Sequence, residues 1–312
     1  MAKVIIGIHG LANKPNRDRL KDGWIKAIKE GLVKNTDMAE PEFSFEMVYW
    51  AHRMYRSPLH YDQDFDFDDL YNTQPYIEAT AKLQPHADSF FDTLRRVGSN
   101  AIGTGLDFVR NGEEDNSLAD WVLRSRLKDL AFYYDTNRAV PDTDKESVKV
   151  QARALLRADL RGAVEAHEGD QIMLIAHSMG SIIAYDALRD LGREKPEFAV
   201  DHFVTIGSPL GLSYVKEKIK AERRYNSEPE GRLRSPTVVR KRWKNYADRR
   251  DPVAVDTHLS DDFSENATGI QVEDDLVINA YVDPSLEPNR HKSYGYLRAP
   301  EVSDHIKAFL EE

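Results

Sequence analysis

The chain has 312 residues and a formal net charge of −10, an acidic balance that argues against nucleic acid as the main partner, because phosphate binding needs a basic face. Hydrophobic residues make up 41%, enough for one large core or two modest ones, and no apolar run reaches the ~18–20 residues of a membrane span. Cysteine is absent, which removes disulfides, thiolate nucleophiles and Cys-type zinc sites together.

Met1-Ala2-Lys3 leads straight into apolar Val4–Ile8 without a secretory h-region, so the expected location is the cytoplasm. Lys3 to Gly10 is a β-branched run ending in glycine, suited to a strand buried on both faces. Leu20, Trp24, Ile25, Ile28 and Leu32 then fall on one helical stripe, and a second strand is expected over Phe43–Trp50. From 51 to 145 the pattern changes. An Asp-rich stretch at 62–69 is followed by short helical segments broken by Pro75, Pro85 and the glycines of 98–105, and then by a clearer helix over Leu118–Tyr134. After residue 145 strands and helices alternate again. The expected elements are a helix over Glu146–Ala166, a strand over Gln171–Ala176 and a helix over Ser181–Leu191. Strands over Phe203–Ile206, Val239–Tyr246 and Leu276–Val282 follow, and a helix over Val302–Leu310 closes the chain. Such alternation implies an α/β fold, a mostly parallel central sheet with helices on both faces. Residues 1–50 and 146–312 supply that core, and 51–145 reads as an insertion into it.

The most informative segment is Ala176-His177-Ser178-Met179-Gly180, between an apolar strand and an amphipathic helix. It matches the nucleophile elbow G-x-S-x-G with Ala in place of the first Gly. A strand that turns sharply into a helix strains the serine backbone and leaves room only for small residues two positions either side. The turn lifts the Ser178 hydroxyl above the sheet and aims the helix N-terminus at developing negative charge.

Together with His9-Gly10-Leu11 at the end of the first strand, this segment resembles the α/β-hydrolase superfamily, in particular its lipase and esterase members. The resemblance covers 1–50 and 146–312, and it implies a helical cap or lid at 51–145. It also implies an oxyanion hole built from the backbone N–H groups of Leu11 and Met179, with His9 a structural hydrogen-bonding residue rather than a base. The glycine-rich H-G-G-G variant is not matched.

An activated serine needs a general base, and the base needs a carboxylate to hold its tautomer. Four histidines follow Ser178. His202 begins the next strand, His258 lies in a polar stretch, and His305 sits on a face of the last helix. His291 stands in the loop Pro288–Tyr294, after a strand and before the last helix, where the superfamily places its base. For the acid, Asp251 occupies an Asp-Pro-Val step similar to the superfamily's acid loop. Asp248 is the alternative acid, and whichever of the two is not catalytic is expected to form the turn.

Other signals are weaker. Asp62, Asp64, Asp66, Asp68 and Asp69 lack the central Gly and twelfth-position Glu of a calcium loop, and Gly98, Gly103 and Gly105 do not follow a strand. Residues 216–244 carry eleven Lys or Arg interleaved with Glu, which suits a solvated helix and loop; a basic rim beside the site, attracting anionic substrates or lipid headgroups, is the sharper reading. Ser208 is expected to line the site or cap a turn. The resemblance as a whole implies a serine hydrolase that cleaves a carboxylic ester of a small molecule or lipid, with no cofactor and no metal, and it is compatible with peripheral membrane contact. Thioester cleavage or acyl transfer uses the same triad. The reading from another class is a catalytically silent binding protein, against which a complete Ser…Asp…His series argues.

Overall fold

The structure, a computed structural model, describes residues 1–60, 76–80, 133–134, 152–225, 232–282 and 288–312. Strand β1 (Lys3–Ile8) lies inside the sheet with β2 (Ser44–Val48) on one side and β3 (Gln171–His177) on the other. The sheet continues through β4 (Val200–Ile206) and β6 (Val239–Ala247) to β8 (Val272–Leu276), giving the order β2-β1-β3-β4-β6-β8. Every neighbouring pair is parallel. Two short strands, β5 (Leu233–Arg234) and β7 (Phe263–Ser264), pair separately.

Strand periodicity sorts the core into two layers. Val4, Ile6 and Ile8 of β1 face α2 (Ala152–Glu165) and α3 (Met179–Glu194), joining Leu156, Leu160, Ile182 and Ile183. Ile5 faces the other way, into a cluster with α1 (Arg17–Asn35), α5 (Ser293–Leu297) and α6 (Pro300–Glu311). Helix α1 begins where the Asn16 side chain accepts the Arg19 N–H at 3.0 Å. It buries Leu20, Trp24, Ile28 and Leu32 of the expected stripe. Burying each such side chain stabilises the fold by roughly 1.5–3 kcal/mol before chain entropy is counted. Helix α4 (Ser213–Tyr225) adds Val215 and Ile219 to the first layer.

One expected strand is displaced. Leu276–Val282 is not a strand; the edge strand β8 spans Val272–Leu276. Its charged residues are held by the neighbouring strand. Lys244 Nζ lies 2.9 Å from Glu273 and 2.7 Å from Asp275, and Asn245 Nδ2 donates to Asp274 at 2.9 Å. The apolar residues that suggested a strand, Val277 and Tyr281, are buried in the second core layer. The Val277 N–H donates to the Ala247 carbonyl at 3.0 Å, and after it amides of this segment turn to side chains. Asn279 N–H donates to Asp248 Oδ2 at 2.8 Å and Tyr281 N–H to Asn279 Oδ1 at 3.2 Å.

The chain from 51 onward touches both faces where it is described. Arg298 donates to the Ile77 carbonyl at 2.8 Å on the α1 side, while the Tyr133 hydroxyl donates to buried Asp186 of α3 at 2.7 Å on the other. The Asp-rich stretch, the glycines of 98–105 and most of the expected helix Leu118–Tyr134 lie outside the described residues. Because the strands are parallel, their carboxyl ends share one edge, and in open α/β sheets that edge is where ligands bind. Ser178 follows β3, Asp251 follows β6, and His291 lies beyond β8.

Candidate active site

Ser178 sits between β3 and α3 with φ 54° and ψ −130°, one of two non-glycine residues with positive φ among those described. A conformation of this kind costs on the order of 1–3 kcal/mol and persists only where the surroundings impose it. Here they do. A Cβ on Gly180 would come within 2.6 Å of the His9 carbonyl oxygen and 2.8 Å of that of Ile8, so only glycine lets α3 start this close to β1. A Cβ on Gly10 would fall 2.6 Å from Ser178 Cβ and 3.2 Å from its Oγ, so the loop after β1 presses its backbone against the serine. The Ser181 hydroxyl donates to the Ser178 carbonyl at 2.6 Å and bonds Ser208 Oγ at 2.7 Å, and Ser208 Oγ in turn accepts the Leu210 N–H. Ser208 therefore caps a turn beside the elbow.

The three residues singled out in the sequence meet. Ser178 Oγ is 2.9 Å from His291 Nε2, and His291 Nδ1 is 2.8 and 2.9 Å from the two Asp251 oxygens. All three are buried, with 0%, 1% and 3% of their surface exposed. A carboxylate only accepts hydrogen bonds, so the proton is assigned to Nδ1, and Nε2 accepts from the serine hydroxyl. Asp251 Oδ1 also takes the Val253 N–H at 2.8 Å, and Oδ2 takes the Tyr296 hydroxyl at 2.7 Å. Asp248, the alternative acid, is engaged elsewhere: its carboxylate accepts N–H groups from Arg250 and Asn279, both at 2.8 Å. The Arg250 bond is one that a turn-forming Asp makes, and Asp251 makes its counterpart with the Val253 N–H.

Leu11 and Met179 flank the serine. Met179 is the first residue of α3, so its N–H is one of the donors that a helix start leaves without an intrahelical acceptor. The Leu11 N–H belongs to the peptide whose carbonyl, that of Gly10, accepts from His9 Nδ1 at 2.8 Å. His9 Nε2 accepts from the Trp50 N–H at 3.1 Å, and the imidazole stacks on the Trp50 indole with centroids 4.6 Å apart. Burial, reinforced by the Lys14 charge, holds the His9 pKa well below its ordinary value. His9 is thus a neutral strut for the loop after β1.

Sequence residues 130–220, less than a third of the chain, match the profile of a family described as an alpha/beta hydrolase of unknown function (DUF900). The match runs from before α2 through β3, the elbow, α3 and β4 into α4. This match and the parallel six-stranded sheet support assignment to the α/β-hydrolase superfamily. No curated protein matches the chain. Among the described residues, no helix is long and apolar enough to cross a membrane.

Three residues of the site were not legible as such. Asn279 donates through Nδ2 to the carbonyls of Arg290 and Lys292, at 2.8 and 2.9 Å, and so brackets His291. A lone amide in the apolar run Val277–Val282 was the available signal. His177 bonds through Nε2 to the His291 carbonyl at 2.7 Å; burial, with the neighbouring His291, keeps it well below its ordinary pKa and hence neutral. Tyr296 lies five positions after His291 and reaches Asp251. The other histidines lie apart: His202 and His305 bond each other at 2.8 Å under α6, and His258 bonds Thr257.

The described basic residues of 216–244 are partnered in large part. Lys216 lies 2.6 Å from Asp262, and Lys241 lies 2.7 Å from Glu312. Arg240 and Lys241 stand at the start of β6, the end opposite Asp251, so they do not rim this site. Asp256, Asp261 and Asp262 converge within 4.8 Å, but Lys216 already serves two of them.

Proposed function

We propose that the protein is a serine hydrolase that cleaves a carboxylic ester through an acyl-enzyme on Ser178. The observation that carries this reading is the continuous hydrogen-bonded chain from Ser178 Oγ through His291 to Asp251. In the first half-reaction Ser178 Oγ attacks the ester carbonyl while His291 Nε2 takes its proton. Asp251 holds the Nδ1–H tautomer and stabilises the imidazolium that forms. The Leu11 and Met179 N–H groups donate to the oxyanion, and a donor of this kind typically contributes about 2.7–4 kcal/mol to lowering the barrier. The C–O bond breaks, and the leaving alkoxide takes the proton from His291. Water then enters, gives its proton to His291 and attacks the acyl carbonyl. Collapse of the second tetrahedral intermediate returns Ser178 and releases the acid.

Residues 1–50 and 146–312 form the catalytic core in this reading, with 51–145 a cap over the sheet edge that selects a small-molecule or lipid ester. The bonds from Ile77 to Arg298 and from Tyr133 to Asp186, which tie this stretch to both faces, are compatible with a cap. A fluorophosphonate probe tests the chemistry. We expect one adduct on the folded protein, none on Ser178→Ala, and turnover of a p-nitrophenyl ester by the wild type alone. Labelling that persists in Ser178→Ala would refute the assignment, and folded protein that takes no label would favour the silent binding protein. Comparison of matched esters and thioesters, with and without an added alcohol, separates hydrolysis of the two bonds from acyl transfer.

A further inference from the structure

Within the reading just proposed, on which it rests, we infer that Tyr296 is a positioning residue for the catalytic acid, locking the Asp251 carboxylate toward His291 and setting how strongly it holds the imidazolium. The Tyr296 hydroxyl donates to Asp251 Oδ2 at 2.7 Å and accepts the Asp248 N–H at 3.0 Å. The second bond fixes the direction of the first. With the backbone N–H pointing at a phenolic lone pair, the hydroxyl proton is left to Oδ2. The other carboxylate oxygen has its own anchor, the Val253 N–H at 2.8 Å. Rotation of the carboxylate is therefore opposed at both ends, and both oxygens stay within 2.9 Å of His291 Nδ1.

The donor is also a durable one. Tyr296 is fully buried, and burial together with the Asp251 charge raises its phenol pKa well above 10, so the proton stays on oxygen throughout any working range. The base and its acid's anchor come from one short stretch. Asn279 brackets His291, α5 begins two residues later, and Tyr296 is the fourth residue of that helix. A displacement of this stretch would move His291 and loosen Asp251 together. The hydrogen bond has an electronic consequence as well. Each donor to a carboxylate draws charge from it, which weakens its stabilisation of a neighbouring imidazolium. Tyr296 thus keeps His291 from holding its proton too firmly, and a base must release that proton to the leaving group.

The test uses the full-length chain. The His291 imidazole is titrated by NMR in the resting protein, and kcat and KM for a neutral p-nitrophenyl ester are followed against pH. Tyr296→Phe is expected to raise the His291 pKa by about half a unit or more. It should lower kcat about tenfold or more while KM stays within about twofold. A fluorotyrosine at 296, a stronger donor of almost the same shape, is expected to move the His291 pKa down, and it keeps the test open if the Phe variant does not fold. An unchanged His291 titration and an unchanged acidic limb, with only stability lost, would overturn the inference and leave the hydrolase reading intact. Conversely, a wild type without turnover or label whose His291 still shifts on substitution would overturn the hydrolase reading and support the Tyr296–Asp251–His291 coupling.

Discussion

His305 and His202 make the protein's stability depend on pH in a way that can be worked out in advance. Both are buried between β4 and α6, with His202 Nδ1 2.8 Å from His305 Nε2 and the Tyr246 hydroxyl 3.0 Å from His305 Nδ1. Burial, with His202, Arg242 and Lys244 adding to it, lowers the His305 pKa to about 3, and burial lowers His202 as well, although Glu312 opposes this. The folded-state pKa is below the unfolded value of about 6.5, so the unfolded chain binds the proton first. Stability from this site is complete above about pH 6.5 and is lost as pH falls towards about 3, at about 1.4 kcal/mol per pH unit for His305. At about pH 5 the loss is about 2 kcal/mol, a large part of the ~5–15 kcal/mol by which domains are stable. Other groups titrate over the same range, so the assay is a difference between two proteins. Urea unfolding of the wild type and of His305→Asn is compared at about pH 7.5 and about pH 5. Asn keeps a polar group toward Tyr246 but does not titrate. The wild type is expected to lose about 2 kcal/mol more than the variant between the two conditions. A gap between the two proteins that does not change with pH would show that the site is not kept neutral by burial.

The two candidate acids separate by substitution. Asp251→Asn is expected to lower kcat by on the order of 10⁴, through loss of the correct His291 tautomer. Asp248→Asn should leave most activity and cost about 1–3 kcal/mol in urea unfolding, because it weakens the acceptor for the Asn279 and Arg250 N–H groups. The reverse pattern would exchange their roles. Arg157 sits buried among Asp186, Asp190 and Glu222 at 2.8, 2.7 and 3.0 Å. Arg157→Met is expected to cost about 3–5 kcal/mol by the same assay, by stranding buried carboxylate charge, and a loss under about 1 kcal/mol would show the network to be marginal.

The sheet was legible wherever burial and periodicity coincide. Lys3–Ile8 and Gln171–His177 are apolar on both faces because both faces are covered, and the sequence displays this directly. It failed at the sheet edge for the same reason. Val272–Leu276 carries Glu273, Asp274 and Asp275, tolerable in a strand only because Lys244 and Asn245 stand beside them on β6, nearly thirty residues earlier in the chain. In the site, the elbow could be read because its constraint is local: small residues must flank a strained serine two positions away. The contributions of Asn279 and Tyr296 could not. Asn279 acts on carbonyls 11 and 13 residues downstream, and Tyr296 on a carboxylate 45 residues upstream. Nothing in the local pattern of either residue specifies those partners.

The same contrast explains how loops hold Ser178, His291 and Asp251 so closely. Each of Ser178, Asp251 and His291 follows a different strand, and a loop alone fixes a side chain poorly. The bonds that compensate are almost all from buried side chains to backbone: His9 to Gly10 and Trp50, Asp248 to Asn279 and Arg250, Asn279 to Arg290 and Lys292, His177 to His291. A buried polar group without its partner costs about 1–3 kcal/mol, so each of these bonds opposes displacement of its loop. The strain at Ser178 is of similar size and has to be offset by that network, along with the packing of Gly180 on β1. Loosening any one of the loops would therefore relax the serine as well as displace its partners, so the geometry of this site belongs to the network rather than to Ser178, His291 or Asp251 alone.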